Sequence, residues 1–189
     1  MTEFIIIRPG ATIYDVERRV QGALSVPMNV LGHNQVDLLA DKLRGLNLKS
    51  IYASSSEPSR ETAEILGREL GVPVTYLENF DNWRMGLWQG MDVEEQLRKC
   101  QPTVYKMGRE DPWNLTPPEG EPLEEVMKRV EIAYRKFGKK TQDKIGIVAQ
   151  DPLAGLIRQY LTGNPESEID IWKVNHLPGT TESVLIEQL

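Results

Sequence analysis

Two polar side chains stand where buried strands should end. Phe4-Ile5-Ile6-Ile7 is an unbroken apolar run that gives way to Arg8 and then to a Pro9-Gly10 turn. Ile145 to Ala149 is a second such run, followed by Gln150 and Asp151. Ligands of open, mostly parallel sheets bind beyond the carboxyl ends of the strands, near a point where the strand order reverses. Arg8 and Gln150 could therefore meet in one pocket, where a guanidinium can hold an anionic group and an amide can hydrogen-bond without adding charge. Pro9, between strand and turn, has neither a nucleophile nor a titratable group. Other reactive types are sparse. Cys100 is the only cysteine, which excludes an internal disulfide, and it reads as a buried or half-buried thiol. His33 and His176 are the only histidines; they read as structural or solvent-facing residues.

The elements that would position these groups follow from periodicity. Phe4–Ile7 and Ile145–Ala149 have the continuous apolar character of strands covered on both faces. Asn29 can cap a helix whose stripe is Val36, Leu39, Ala40 and Leu43, with Gly45 as its stop. Ile51–Ala53 reads as a short strand. Ser54–Ser56 leads into a helix through Glu64, Ile65 and Leu66 that ends near Gly71, and residues 72–75 are extended. Residues 78–121, rich in tryptophan, proline and glycine, predict a helical insertion with loops. Glu121–Phe137 is amphipathic, with Leu123, Val126, Val130, Ala133, Tyr134 and Phe137 on one face and Gly138 at its end. Pro152 suits the first turn of a helix through Leu161, with Asp151 as its cap, and Val184–Ile186 is a last strand. Strands alternating with helices predict an α/β fold: a three-layer α/β/α sandwich on a mostly parallel sheet, formed by residues 1–189 as one domain.

At 189 residues, 40% hydrophobic and 26% charged, the composition is that of a soluble globular chain. A net charge of −6 without a basic run argues against nucleic acid or an anionic membrane as partner. No apolar stretch approaches the ~20 residues of a membrane span. The first residues lack the features of a signal peptide, so the cytoplasm is the expected location.

Several ordered motifs carry a family resemblance across nearly the whole chain. Arg8-Pro9-Gly10 resembles the Arg-His-Gly turn of the histidine phosphatase superfamily, the phosphoglycerate mutase-like fold. Arg19-Val20-Gln21-Gly22 is similar to its Arg-x-Gln-Gly, and Pro27, Gly32 and Gln35 keep the spacing of its Pro-Leu-Thr-x-x-Gly-x-x-Gln segment. Glu61 to Leu66, Gly86-x-Trp88-Gln89-Gly90 and Pro118-x-Gly120-Glu121 with Arg129-Val130 resemble further scaffold motifs. Val148-Ala149-Gln150 stands where the family has Val-Ser-His.

The resemblance implies a catalytic set that this chain has mostly lost. The nucleophilic histidine falls on Pro9, and the second phosphate-binding arginine on Pro58. The general-acid glutamate falls on Asn82, whose amide cannot donate a proton to a leaving oxygen. The second histidine falls on Gln150. Arg60 is shifted by two residues from the arginine position, about 200° around a helix, and should face away. Arg8 alone clearly remains, with Arg19 as a second cation that could reach the mouth. Asp15 and Asp151 fall where the family has an asparagine and a glycine. Each charge pair at ~4 Å and an effective dielectric of about 20 is worth roughly 4 kcal/mol, so such a mouth should repel a phosphate dianion unless both arginines reach it.

The expectation is a catalytically inactive relative, with no cofactor or metal. Its former cleft, lined by Arg8, Asp15, Arg19, Asn82, Gln150 and Asp151, would bind a small molecule or a protein. Trp83 and Trp113 could line that site or a partner surface, or simply pack; Trp88 belongs to a scaffold motif. One alternative is a hydrolase that uses Arg8 with Asp15 or Asp151 in place of histidine. In that setting the two carboxylates could instead hold a hard cation with Asn82 and Gln150. A further alternative is a plain structural subunit, as a homodimer. An open cleft favours the binding and enzyme readings; a cleft filled by side chains favours the structural one.

Overall fold

A computed structural model of the chain describes residues 2–137, 143–163, 171–172 and 178–186. The strands are β1 (Thr2–Ile7), β2 (Ser50–Ala53), β3 (Val74–Tyr76), β4 (Lys144–Val148) and β5 (Thr181–Ile186). They form one sheet in the order β3-β2-β4-β1-β5. β1, β2, β3 and β4 run parallel, and β5 pairs antiparallel to β1 along the edge.

Alternation along the strands divides the core. Phe4 and Ile6 of β1, with Ile145 and Ile147 of β4, face α5 (Leu123–Lys136) and α6 (Leu153–Thr162). Ile5, Ile7, Ile51 and Ala53 face α2 (Val30–Leu43) and α3 (Ser59–Leu70) on the other side. Both faces of the central strands are thus covered, which is why those strands read as solid apolar runs. The result is the expected α/β/α sandwich.

The helix boundaries mostly obey local chemistry. The Asn29 side chain caps α2 by accepting the Gly32 N–H at 2.8 Å, and Gly71 ends α3 at φ 66°. Gly45 is not the stop expected for α2. The helix passes into a 3-10 turn, Arg44–Leu46, and the left-handed residue is Asn47 at φ 54°. Asn tolerates that region by hydrogen-bonding locally, so it replaces glycine here. Strand β3 begins at Val74, two residues beyond the expected start of the extended segment. Gly138 and His176 lie outside the described residues.

Between β3 and α5 the chain forms 3-10 turns at Glu78–Phe80, Gly86–Trp88 and Pro112–Asn114, a π-helical segment at Val93–Lys99, and α4 (Pro102–Glu110). Trp88 packs edge-on against Trp172 and joins the α5 side of the core. Cys100, at the end of the π-helical segment, is exposed. The expectation of a buried thiol therefore fails, because Val93 and Leu97 supply the buried face of that segment.

Gly86 fixes where this region meets α5. Its φ is +51°, and a Cβ there would stand 1.9 Å from the Pro118 carbonyl oxygen. The approach lets Leu87 N–H donate to Pro118 and Glu121 N–H donate to Arg84. Gly86→Ala is expected to destabilise the fold by more than ~1 kcal/mol, read from urea denaturation.

Among the described residues, no helix is long and apolar enough to cross a membrane.

Candidate functional site

The loops that leave β1 and β4 meet at the carboxyl end of the sheet. Arg8 Nε donates to Asp151 Oδ2 at 2.8 Å and its Nη2 donates to Oδ1 at 3.3 Å. The two side chains are 16% and 11% exposed. Arg8 Nη1 also lies 3.8 Å from Glu182 on β5, which Arg158 of α6 holds at 3.2 Å. Asp151 does not cap α6. The first residue before that helix is Pro152, no side chain caps it, and the carboxylate turns to the buried guanidinium instead.

The loop between β1 and α1 (Ile13–Glu17) is fixed by its backbone. Arg8 N–H donates to Thr180, and Gly179 N–H donates to the carbonyls of Arg8 and Pro9. Gly10 N–H donates to Thr62 Oγ1 of α3 at 3.1 Å. Pro9 is buried in this loop, and buried Pro58 immediately precedes α3. Arg60 faces away as expected and pairs with Glu57 and Glu64.

The other positions separate into those that join Arg8 and those that do not. Asn82 is buried and donates from Nδ2 to the Asp151 carbonyl at 3.1 Å, while its Oδ1 accepts Trp83 N–H. Gln150 is 7% exposed, and its amide makes no hydrogen bond among the described residues. Asp15 instead completes a capping box on α1: its Oδ2 accepts Thr12 N–H at 2.6 Å and Thr12 Oγ1–H at 2.9 Å. Arg19 pairs with Glu17 at 2.6 Å and donates to the Gly90 carbonyl at 2.8 Å, which ties it to the scaffold. His33 is exposed on α2. No group of three or more His, Cys, Asp or Glu among the described residues could hold a metal ion.

Open volume lies beside these residues. A cavity of about 340 Å³ is lined by Ala23, Glu78, Asn79, Asp81, Asn82, Arg84, Glu121 and Arg129. Of the positions that the resemblance aligns with the family's catalytic groups only Asn82 reaches it; Arg8, Pro9 and Gln150 do not, nor does Asp151. Its floor is an ion pair missed in the sequence. Glu121 is 5% exposed and accepts Arg129 Nη2–H at 2.7 Å. The same guanidinium donates to the carbonyls of Asn79 at 2.8 Å and Asn82 at 3.1 Å, and to that of Asp81. Helical spacing could not have signalled it: α5 begins at Leu123, not at Glu121 as expected, because Pro122 stands at its N-terminal boundary, so Glu121 lies in the preceding loop. Arg84 reaches Glu121 from the rim at 3.3 Å. Asp81 accepts a hydrogen bond from Ser54 Oγ, and Glu78 has no ion partner among the described residues. Trp83 is wholly buried beneath, its indole N–H donating to the Glu121 carbonyl at 2.7 Å, so it packs rather than lines the site. Trp113 is 52% exposed.

The α/β/α sandwich, with its mostly parallel sheet and antiparallel edge strand, matches the phosphoglycerate mutase-like α/β structures. The sequence model of the histidine phosphatase superfamily (branch 1) matches residues 4–187, and the chain belongs to that superfamily. Similar proteins include "Phosphoglycerate mutase-like protein 4" of Arabidopsis thaliana, 28% identical over 96% of this chain and 78% of that one. "Uncharacterized phosphatase PhoE" of Bacillus subtilis (strain 168) is 23% identical over 88% of this chain and 81% of its own. Among solved structures, a mycobacterial glucosyl-3-phosphoglycerate phosphatase complexed with VO3 superposes with a TM-score of 0.81 at 22% identity, covering 96% of this chain and 90% of the other.

Proposed function

We propose that this chain is a non-catalytic member of the superfamily that uses the remodelled cleft to bind a ligand. The observation that carries it is the state of Arg8. The one phosphate-binding group left from the family's set is engaged in two prongs by Asp151, with Glu182 behind it. Pro9, Pro58, Asn82 and Gln150 supply neither nucleophile, second guanidinium, acid nor second imidazole. The cavity beside Asn82 supports binding over a purely structural role. With Glu121 and Arg129 paired to each other, its remaining charged groups are Glu78 and Asp81 against Arg84. That balance favours a polar ligand that is neutral or positively charged. The same proposal puts the chain in the cytoplasm without a cofactor, its partner a small molecule or a protein, a second copy of the chain included.

The phosphatase names of relatives favour a second reading, a hydrolase that works without histidine. Its carboxylate would have to be Asp151, since Asp15 is engaged in the capping box. A thermal-shift panel of phosphates, sugar phosphates, neutral metabolites, amines and divalent cations tests both, with chromogenic phosphate esters assayed alongside. The expected outcome is stabilisation by a neutral or cationic compound and no turnover. Stabilisation by phosphates together with steady hydrolysis would replace this proposal with the second reading.

A further inference from the structure

The group that faces Arg8 is part of the chain itself. Asp151 accepts from Nε and Nη2 at 2.8 and 3.3 Å, the forked arrangement in which a guanidinium also takes phosphate or sulfate. Both partners are largely withdrawn from water, at 16% and 11% exposure. Arg8 and Arg158 balance Asp151 and Glu182, so this chain of four charges sums to zero. An arriving oxyanion would meet no unengaged cation there and would have to displace the carboxylate.

Two further features suit the place to an anion once that carboxylate is gone. Gln150, a residue 7% exposed whose amide makes no hydrogen bond among the described residues, precedes Asp151 and can donate. The loops are also held independently of the ion pair. Arg8 is anchored through its backbone to residues 179 and 180, and residue 151 through its carbonyl to Asn82.

We propose that the Asp151 carboxylate is a built-in occupant of an oxyanion site on Arg8, with the Gln150 amide as second donor. Residue 151 then determines whether the cleft takes a free oxyanion. This deepens the proposed function and rests on the same Arg8–Asp151 pair. Replacing Asp151 with glycine removes the occupant and leaves the local charge at +1. Replacing it with asparagine removes the charge but keeps the shape.

Isothermal titration of inorganic phosphate, and of sulfate, into the intact chain and the two variants tests this. The unaltered chain is expected to give no saturable heat. Asp151→Gly should bind at least about tenfold more tightly than any residual binding of the unaltered chain, as charge-assisted hydrogen bonds become available. Asp151→Asn should gain in the same direction but by less. Adding Arg8→Gln to either variant should abolish the gain. Equal affinity in the unaltered chain and both variants overturns the proposal, as does a gain that survives Arg8→Gln. Should the glycine variant not fold, the asparagine variant carries the test, and no gain in it is then decisive. A thermal shift of the unaltered chain by neutral or cationic compounds tests the proposed function apart from this inference: no shift would sink the proposed function and leave this inference standing.

Discussion

Pro9→His is expected to leave phosphate-ester hydrolysis at the rate of the unaltered chain. The substitution returns an imidazole to the end of β1, but to a site without its partners. Arg8 remains in the grip of Asp151, Pro58 offers no second guanidinium, Asn82 cannot protonate a leaving oxygen, and Gln150 carries no charge. Catalytic groups of this kind act as a unit. In a well-studied hydrolase, losing one of them costs about as much as losing the set, on the order of 10⁶ in turnover. Restoring one member should therefore recover almost nothing. The measurement is release of nitrophenol from its phosphate ester over hours, with circular dichroism to verify the fold. A rise above about tenfold in this single variant would mean that the surviving scaffold needs only its nucleophile. Activity is expected to emerge only when Pro58→Arg, Asn82→Glu, Gln150→His and Asp151→Gly are combined with it.

Glu121→Ala should be among the most damaging single changes to the fold. Glu121 is 5% exposed and Arg129 18%, and removing the carboxylate leaves a half-buried guanidinium without its counter-charge. Breaking a buried pair from one side costs about 3–5 kcal/mol. Arg129 keeps its bonds to the carbonyls of Asn79, Asp81 and Asn82, so the lower end, roughly 3 kcal/mol, is expected. For a chain of this size that lowers the melting temperature by about 6–12 °C. A drop below about 2 °C in calorimetry would show that Arg84 or solvent takes over the charge. Glu121→Gln, which keeps the shape and can still accept from Arg129, should lose less.

The sheet was legible because its strands are covered on both faces. Phe4–Ile7 and Ile145–Val148 alternate between two cores, so every residue is apolar, and that pattern admits few other placements. Asn29 and Gly71 announced their helix ends through local chemistry. What failed were statements about which side chain meets which across long stretches of chain. Asp151 looks like a cap beside Pro152, yet its partner is Arg8, 143 residues away. Asp15 looked like a second carboxylate at the mouth, yet Thr12, three residues before it, engages it. The cavity could not be read at all, since it depends on how the segment after β3 lies against α5. Asn82 is the hinge of that outcome, the residue that both bonds to the Asp151 carbonyl and lines the open space.

The loop at Pro9 draws its hydrogen bonds from the N–H of Arg8, the carbonyls of Arg8 and Pro9, and the N–H of Gly10. Among the described residues, none of these bonds needs an N–H from residue 9. The Pro9 ring therefore sits there without breaking any of them, and it stiffens the turn as it does so. The shape of that turn is thus written in its main chain, and the identity of the side chain at position 9 is free of it.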